Sequence, residues 1–322
     1  MELIKVIDGL YYFKLILPPH GFGDLNCFVI PDRHGGRNLL IDTGSHKRHY
    51  RVAFFDALRE LNFTPENTDI FISHNHSDHT GNVNELSDLG YRILIGRIAY
   101  EKERLSYLAD SEMLRKEGVE EVPEGVEFTG KIMTCDIQNA NVVLLEEGDV
   151  LHYGGFTLRC LLTPGHSMGH LCLYEEGTKT MFLGDHVLYD VAPAITRNPY
   201  SKDALQDYMD SLRNIASYDV ERTLATHGAY DGNLQQRLRE LMGYHISMLA
   251  AMERFVTENP GGTGKIYAEK MNVLRFGKLL TETSSGETYF ALYEGFAWLD
   301  HLVNTGRIIR KEADGVYLYY PQ

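Results

Sequence analysis

Three histidines and one aspartate stand within six residues, directly after an apolar run. The stretch reads FISHNHSDHTGN, and the four side chains are those of His74, His76, Asp78 and His79. Protonated imidazoles at this spacing would repel one another, and neutral imidazoles gain little from being neighbours. A cation bound between them would explain the cluster, because imidazole and carboxylate are ligands of zinc and similar metals.

The spacing of these residues suits two adjacent metal ions. In an extended segment, His74 and His76 point to the same side and can bind one metal ion. Asp78 and His79 follow at once and can turn toward a second metal ion. Gly81 permits the tight bend that such a loop needs. The pattern H-x-H-x-D-H therefore predicts a metal site.

Further residues of the same chemical types follow other predicted strands. His166 comes after a strand and a Pro-Gly turn in TPGHSMGH, Asp185 follows the apolar strand of MFLGDH, and His227 follows that of LATHG. Strands and helices alternate along this part of the chain, which predicts a layered α/β sandwich with these motifs on one rim. We therefore expect the three side chains to complete the metal site.

The motifs SHNHSDH, TPGHS, LGDH and THG, in this order, resemble the metallo-β-lactamase superfamily. The resemblance covers roughly residues 15–228 and implies an α/β fold, a four-layer αββα sandwich with a binuclear metal site on its rim. The implied ligands are His74, His76 and His166 for the first metal ion, Asp78, His79 and His227 for the second, and Asp185 for both.

The type of metal site resembles one part of this superfamily. Asp78 and His79 together with a bridging Asp185 resemble the glyoxalase II, lactonase and RNase Z-like branches, whereas the true lactamases have Cys in place of that bridging aspartate. Asp42, in LLIDTG, matches a family position that supports the metal ligands from behind.

Three further residues and one loop are weaker candidates. We expect His170 and His186 to pack in the core or to support the ligands rather than to face the substrate. Tyr189 and the loop PPHGFGDLN are candidates for lining the pocket, with ordinary loop packing as the alternative. The loop residues concerned are His20, Phe22, Asp24 and Asn26.

A domain boundary is predicted after residue 232, so that 1–232 form a catalytic domain and 233–322 a second domain. The second part predicts a long amphipathic helix, two further helices and a hairpin, an order that resembles the winged-helix domain of one subgroup of metallo-β-lactamase proteins. The predicted recognition helix, GETYFALYEGFAWLDHL, contains no Lys or Arg, and a phosphate-binding surface needs several. We therefore expect this part to cover one side of the active site or to form a dimer contact.

These features predict a metal-dependent hydrolase. Two cations would lower the pKa of a bridging water, and the hydroxide would attack an ester, thioester or lactone of a small molecule, with Asp78 steering it or taking its proton. The alternative is a single-strand-specific ribonuclease or phosphodiesterase that uses the same metal pair. The ligands suit zinc, iron or manganese, and of these we expect zinc.

The composition bears on partners and location. The chain of 322 residues has 31 basic and 45 acidic residues, a net charge of -14, which repels polyanions and favours a small-molecule substrate over nucleic acid. No stretch approaches the ~18 apolar residues of a membrane helix. The start, MELIKVIDGLYYFKL, predicts a first strand rather than a signal peptide, and hence a cytoplasmic protein. A homodimer is an open alternative to a monomer.

Overall fold

The computed structural model describes residues 2–16, 24–102, 111–119, 137 and 141–322. His20 and Phe22 of the predicted pocket loop lie outside these ranges. In the described part, two β-sheets face each other and helices cover the outer face of each sheet.

The first sheet has seven strands that follow one another in chain order. Strands β1 to β4 pair antiparallel, and β4 to β7 pair parallel. The predicted first strand is in fact two strands, because Gly9 adopts φ +85° and turns the chain between them. The strands are Ile4–Ile7 (β1), Leu10–Leu15 (β2), Leu25–Ile30 (β3), Asn38–Ile41 (β4), Thr68–Ile72 (β5), Arg92–Gly96 (β6) and Val142–Leu145 (β7).

The second sheet has five strands in the order β12-β11-β10-β9-β8. Among the described strands of this sheet, β11 and β12 pair parallel, and the other neighbouring strands pair antiparallel. At the rim, the backbone N–H of Asn26 in β3 donates to the carbonyl of Thr226 at 2.7 Å, which joins the two sheets. The strands are Val150–Tyr153 (β8), Phe156–Leu162 (β9), Leu171–Glu175 (β10), Thr180–Gly184 (β11) and Arg222–Ala225 (β12).

The alternation of side chains along β5 shows how the layers form. Ile70 and Ile72 pack toward the helices with Phe54, whereas Phe71 packs between the sheets with Phe182. All five residues of β5 are buried, because the strand is covered on both faces. The arrangement agrees with the predicted α/β sandwich. The helices of this part are Arg48–Glu60 (α1), Ser77–Thr80 (α2), Val83–Asp88 (α3), Arg97–Glu101 (α4), Ser111–Lys116 (α5) and Ala204–Ala216 (α6).

The C-terminal part consists of three long helices and a β-hairpin. The side chain of Asn233 caps the first helix by accepting the backbone N–H of Gln236, and Gly277 ends the second in the left-handed conformation. None of the described helices combines the length and apolar character that crossing a bilayer requires. The elements are Leu234–Glu258 (α7), Gly264–Phe276 (α8), Ser285–Asn304 (α9), Ile308–Ala313 (β13) and Val316–Pro321 (β14).

These helices share one apolar core with the second sheet. Leu183 of β11, Leu205 of α6, Leu238 of α7 and Phe296 of α9 belong to the same buried cluster. Helix α8 extends over 13 residues, further than the short helix that KIYAEKM predicts. The division at residue 232 and the winged-helix arrangement of the C-terminal part stay predictions.

Candidate metal centre and adjoining pocket

The first histidine segment begins where β5 ends. His74 lies in a bend after the strand, whereas the sequence predicted an extended segment, and His76 has extended dihedral angles directly before the short helix α2, which contains Asp78 and His79. The helical turn, rather than a bend at Gly81, therefore directs the second pair of side chains. Gly81 has helical dihedral angles, and its missing side chain matters for another reason, because a Cβ there would lie 2.3 Å from the backbone N of His46.

Two groups of ligand-type atoms converge at the rim. In the first group, the His76 Nδ1 lies 2.9 Å from the Nε2 of His74 and 3.1 Å from the Nε2 of His166. In the second group, the His227 Nε2 lies 3.3 Å from the Nε2 of His79 and 3.4 Å from a carboxylate oxygen of Asp78. The structure thus brings together residues from three of the four predicted motifs.

Asp185, from the remaining motif, stands between the two groups. Its Oδ2 lies 3.8 Å from the Nε2 of His166 in the first group, and 3.5 and 3.6 Å from those of His79 and His227 in the second. The hydroxyl of Thr226 donates to the other oxygen, Oδ1, and so fixes the carboxylate. One oxygen of Asp185 is therefore free to face both groups.

The outer ring nitrogens show that these imidazoles suit a metal ion. The Nδ1 of His166 lies 2.9 Å from the carbonyl of Ala194, and that of His227 lies 3.2 Å from the carbonyl of Asp24. A carbonyl only accepts hydrogen bonds, so each Nδ1 carries the proton and each Nε2 presents a lone pair to the site. In each group, the Nε2 of this histidine lies close to a nitrogen of another imidazole, an arrangement that suits a cation bound between them. The residues present therefore fit a metal pair.

Asp42 supports the ligands as the resemblance implies. It is fully buried and adopts φ +63°, a left-handed conformation that Asp tolerates better than most residues. Its oxygens accept the His79 Nδ1–H at 2.8 Å and the Ser73 N–H at 2.9 Å. The Ser73 hydroxyl also contacts Asp42, and lies 3.0 Å from the Nδ1 of His74. Sequence reasoning did not identify Ser73, although its position next to His74 was a signal.

His170 and His186 are both buried away from the pocket. The Nε2 of His170 accepts the backbone N–H of Asp185 at 3.2 Å, and its Nδ1 lies 2.8 Å from the hydroxyl of Thr163. His186 packs its ring 4.8 Å from that of Tyr208. His170 therefore positions the bridging aspartate, and His186 fills the core below it.

The described loop candidates and Tyr189 take the alternative role, ordinary packing. The Asn26 amide donates to the carbonyl of Ala225 at 3.0 Å, and Asp24 acts through its backbone carbonyl, so both residues position His227. The hydroxyl of Tyr189 lies 2.6 Å from that of Thr223 and donates to the carbonyl of Gly232, a packing role. Among the described residues, none of these three side chains lines the pocket.

The two groups differ in their electrostatics. Burial, reinforced by the neighbouring His166, lowers the pKa of His76 to about 3, so this imidazole stays neutral and able to bind. Burial also opposes charge on His79, but the carboxylates of Asp185 and Asp42 outweigh it and raise the pKa. The carboxylates around the second group thus favour a positive charge there, which a bound metal ion would supply.

A pocket of about 550 Å³ opens from the candidate metal centre. Four ligand residues lie at one end, and the loop after β11 forms one side with Leu188 and residues 191–194. The C-terminal helices also line the pocket, through Tyr244, Met248, residues 274–276 and Phe290. The lining is mostly apolar. The individual wall residues carry no motif, and the sequence indicated only that this part could cover the site.

Fold and site together define the class of protein to which the chain belongs. The model of the Metallo-beta-lactamase superfamily matches residues 20–227, about two thirds of the chain. The chain therefore belongs to the metallo-β-lactamase superfamily, whose members bind divalent metal ions. The residues beyond 227, which include the second wall of the pocket, lie outside this match.

Similar proteins of two kinds place the chain within that superfamily. Lactamase-like protein nscB from Neosartorya fischeri is 26% identical over 209 residues, 64% of this chain and 49% of that protein. The atrochrysone carboxyl ACP thioesterase of Cryptosporiopsis sp. is 25% identical over 238 residues, 72% of this chain and 60% of that protein. The chain thus spans about half to three fifths of the length of these two relatives.

Two solved structures share the fold over nearly the whole chain. A beta-lactamase domain protein from Burkholderia ambifaria has a TM-score of 0.85 at 21% identity, and covers 100% of this chain and 94% of its own. A metallo-beta-lactamase family protein from Thermus thermophilus has a TM-score of 0.81 at 24% identity, with 99% and 100% covered. The C-terminal helices therefore belong to an arrangement that other members also have.

Proposed function

We propose that this protein is a binuclear metal-dependent hydrolase that cleaves an ester, thioester or lactone of a small molecule. The observation that carries the proposal is the apolar pocket that starts at Asp78 and Asp185. A pocket of this size and character suits an acyl group, with its carbonyl at the ligand end. The ligand set, with Asp185 between the groups, resembles that of the glyoxalase II, lactonase and RNase Z-like branches, so the pocket rather than the ligand set supports the acyl substrate.

Two divalent cations, for which we propose zinc, would polarise the carbonyl of the substrate and lower the pKa of a water molecule. The chain's own residues supply the rest. Burial would raise the pKa of Asp78, but His79 and His227 outweigh this and keep it low, so the carboxylate stays ionised and can accept a hydrogen bond that steers the nucleophile. The apolar walls exclude water from the acyl side of the pocket.

The relatives and the charge of the pocket support an acyl substrate. One relative is named as an ACP thioesterase. Arg275 is the one cation among the described lining residues, and Glu294 accepts a hydrogen bond from it at 2.6 Å. A nucleic-acid strand needs several unpaired cations along its backbone. We therefore propose that the C-terminal part, in its predicted winged-helix arrangement, serves as a pocket wall.

The test compares acyl and RNA substrates on the same preparation. Metal-stripped and zinc-loaded protein is assayed with a panel of acyl thioesters and lactones, and with labelled single-stranded RNA. We expect acyl turnover that requires metal and falls by on the order of 10²-fold or more in Asp78→Ala.

The matched control is Asp88→Ala, an exposed aspartate at the end of α3. It should keep wild-type turnover. Metal-dependent RNA cleavage that is lost in Asp78→Ala, without acyl turnover, would replace the proposal by the nuclease alternative.

A further inference from the structure

The part of the pocket wall that the C-terminal helices form contains a nearly buried arginine. The side chain of Arg275, at the end of α8, is 14% exposed and lines the pocket. Its guanidinium carbon lies 4.6 Å from the ring centre of Phe276, 5.3 Å from that of Trp298 and 5.7 Å from that of Tyr244. Aromatic rings therefore hold the guanidinium in place at the pocket wall.

Most hydrogen-bond donors of this guanidinium have no acceptor in the part of the chain that the structure describes. Arg275 donates one hydrogen bond, from Nη1 to Glu294 Oε2 at 2.6 Å, and makes no other to these residues. An arginine has five N–H donors, and the unused donors of Arg275 belong to a side chain that lines the pocket. The remaining donors of Arg275 are thus suited to an oxygen atom of a bound molecule.

The charge of this site indicates what kind of oxygen it takes. Glu294 is 4% exposed and belongs to the same buried pair, so its carboxylate already balances the charge of Arg275. A second carboxylate or a phosphate would add an unbalanced negative charge in an apolar pocket. A keto or hydroxyl oxygen would accept a hydrogen bond without this cost.

We infer that Arg275 determines specificity in the acyl pocket, by binding a neutral oxygen that the acyl group carries away from the carbonyl that is cleaved. The inference rests on the proposed function, and it narrows the substrate to an acyl group that is apolar along most of its length with a remote keto or hydroxyl oxygen. Arg275 is a binding residue here and takes no part in the cleavage itself.

The chain has its own probe for this contact. Trp298 is the single tryptophan of the sequence, is 2% exposed and lies beside the Arg275 guanidinium. A ligand bound to Arg275 should therefore change its fluorescence. Zinc-loaded protein is titrated with carboxylic acids of rising chain length, each compared with its hydroxy, keto and dicarboxylic counterpart of equal length. The thioesters of the same acids give kcat/KM in parallel.

We expect the hydroxy or keto acid of the fitting length to bind roughly 10- to 100-fold more tightly than the plain acid. The double variant Arg275→Met/Glu294→Leu removes both charges together, so that neither is left buried alone, and should abolish this preference. Arg275→Lys keeps the charge but not the planar donors, and should reduce it. Lys278→Met removes a nearby exposed cation that does not line the pocket, and should leave it unchanged.

Thermal melting verifies that each variant is folded, and Arg275→Lys decides the question where the double variant melts below the assay temperature. Three results would overturn the inference. Plain and oxygenated acids could bind equally well, the dicarboxylic acid could bind most tightly, or both Arg275 variants could retain the preference for the oxygenated acid. Thioester hydrolysis without the preference refutes the inference alone. A preference in the fluorescence titration without any acyl turnover would show that Arg275 binds the oxygen but would refute the proposed hydrolase, and with it the role of Arg275 in substrate specificity.

Discussion

Replacing Asp42 by Asn should weaken metal binding while the protein stays folded. Both oxygens of the buried Asp42 carboxylate accept hydrogen bonds, one from the Ser73 N–H at 2.9 Å and the other from the His79 Nδ1–H at 2.8 Å. An amide has one accepting oxygen, and its NH₂ group only donates. In the Asp42→Asn variant, a donor would therefore face either the backbone N–H or the imidazole.

The imidazole can avoid this contact only by moving its proton to Nε2, the nitrogen that faces the candidate metal centre. Metal binding would then require the proton to move back from Nε2 to Nδ1, where it would face the NH₂ group of the new amide. A hydrogen bond to a charged group contributes about 1.5–3 kcal/mol, which corresponds to about 10- to 150-fold in metal affinity. Replacing groups that orient metal-binding histidines has effects of about the same size.

The assay is a zinc titration against a chelating dye of known affinity, with thermal melting of the metal-free protein alongside. The control is Asp219→Asn, the same change at an exposed carboxylate 2.9 Å from the Lys179 Nζ, which should leave zinc affinity unchanged. Zinc affinity of Asp42→Asn within about twofold of wild type, with unchanged melting, would show that Asp42 does not orient His79.

Two further changes test packing and pH dependence. In Gly81→Ala, the new Cβ would lie 2.3 Å from the His46 N and 2.6 Å from the Gly44 O, and we expect a loss of about 1–3 kcal/mol in urea unfolding with an unchanged m value; wild-type stability would show that this backbone moves freely. Burial lowers the pKa of His245 from 6.5 to about 3, so the unfolded chain binds a proton first and stability is lost as the pH falls from about 6.5 toward about 3. His245→Leu should therefore narrow the difference in melting temperature of the metal-free protein between about pH 8 and about pH 5, and an unchanged difference would contradict a neutral buried imidazole.

The ligand residues could be predicted because their chemistry is in their side chains. His166, Asp185 and His227 follow strands β9, β11 and β12, and strand ends in a layered sandwich meet at one rim. Imidazole and carboxylate side chains at such places have few roles other than metal binding or catalysis. The spacing of the motifs therefore predicted which residues converge, before any distance was known.

The supporting contacts were harder to predict because many of them involve backbone atoms. The carbonyl groups of Asp24 and Ala194 orient two ligands, and any residue could supply a carbonyl there. Asn26 carried a visible side chain, but its amide holds the His227 loop rather than a substrate. A polar residue near a site on the sequence does not reveal whether its side chain faces the pocket or the backbone behind it.

The sequence predicted that the C-terminal part could cover the site, but the individual wall residues escaped prediction for a different reason. Tyr244, Arg275 and Phe290 lie on three helices, and the pocket arises only when these helices pack on the second sheet. Helical periodicity indicates which face is apolar, but not which apolar residues border a cavity. Phe290 illustrates this, because its sequence neighbour Tyr289 is a core residue with 2% exposure.

Under the proposed function, the C-terminal helices contribute to substrate selection but not to metal binding. Every candidate metal ligand lies within residues 20–227, which match the family model, whereas the part of the pocket wall formed by the C-terminal helices lies beyond them. A change in that part of the wall can alter the shape and polarity offered to the acyl group without replacing any ligand, because none of the candidate ligands lies on these helices. Sequence similarity within residues 20–227 is therefore informative about the type of reaction. The identity of the acyl group has to be inferred from residues outside that range, such as Arg275.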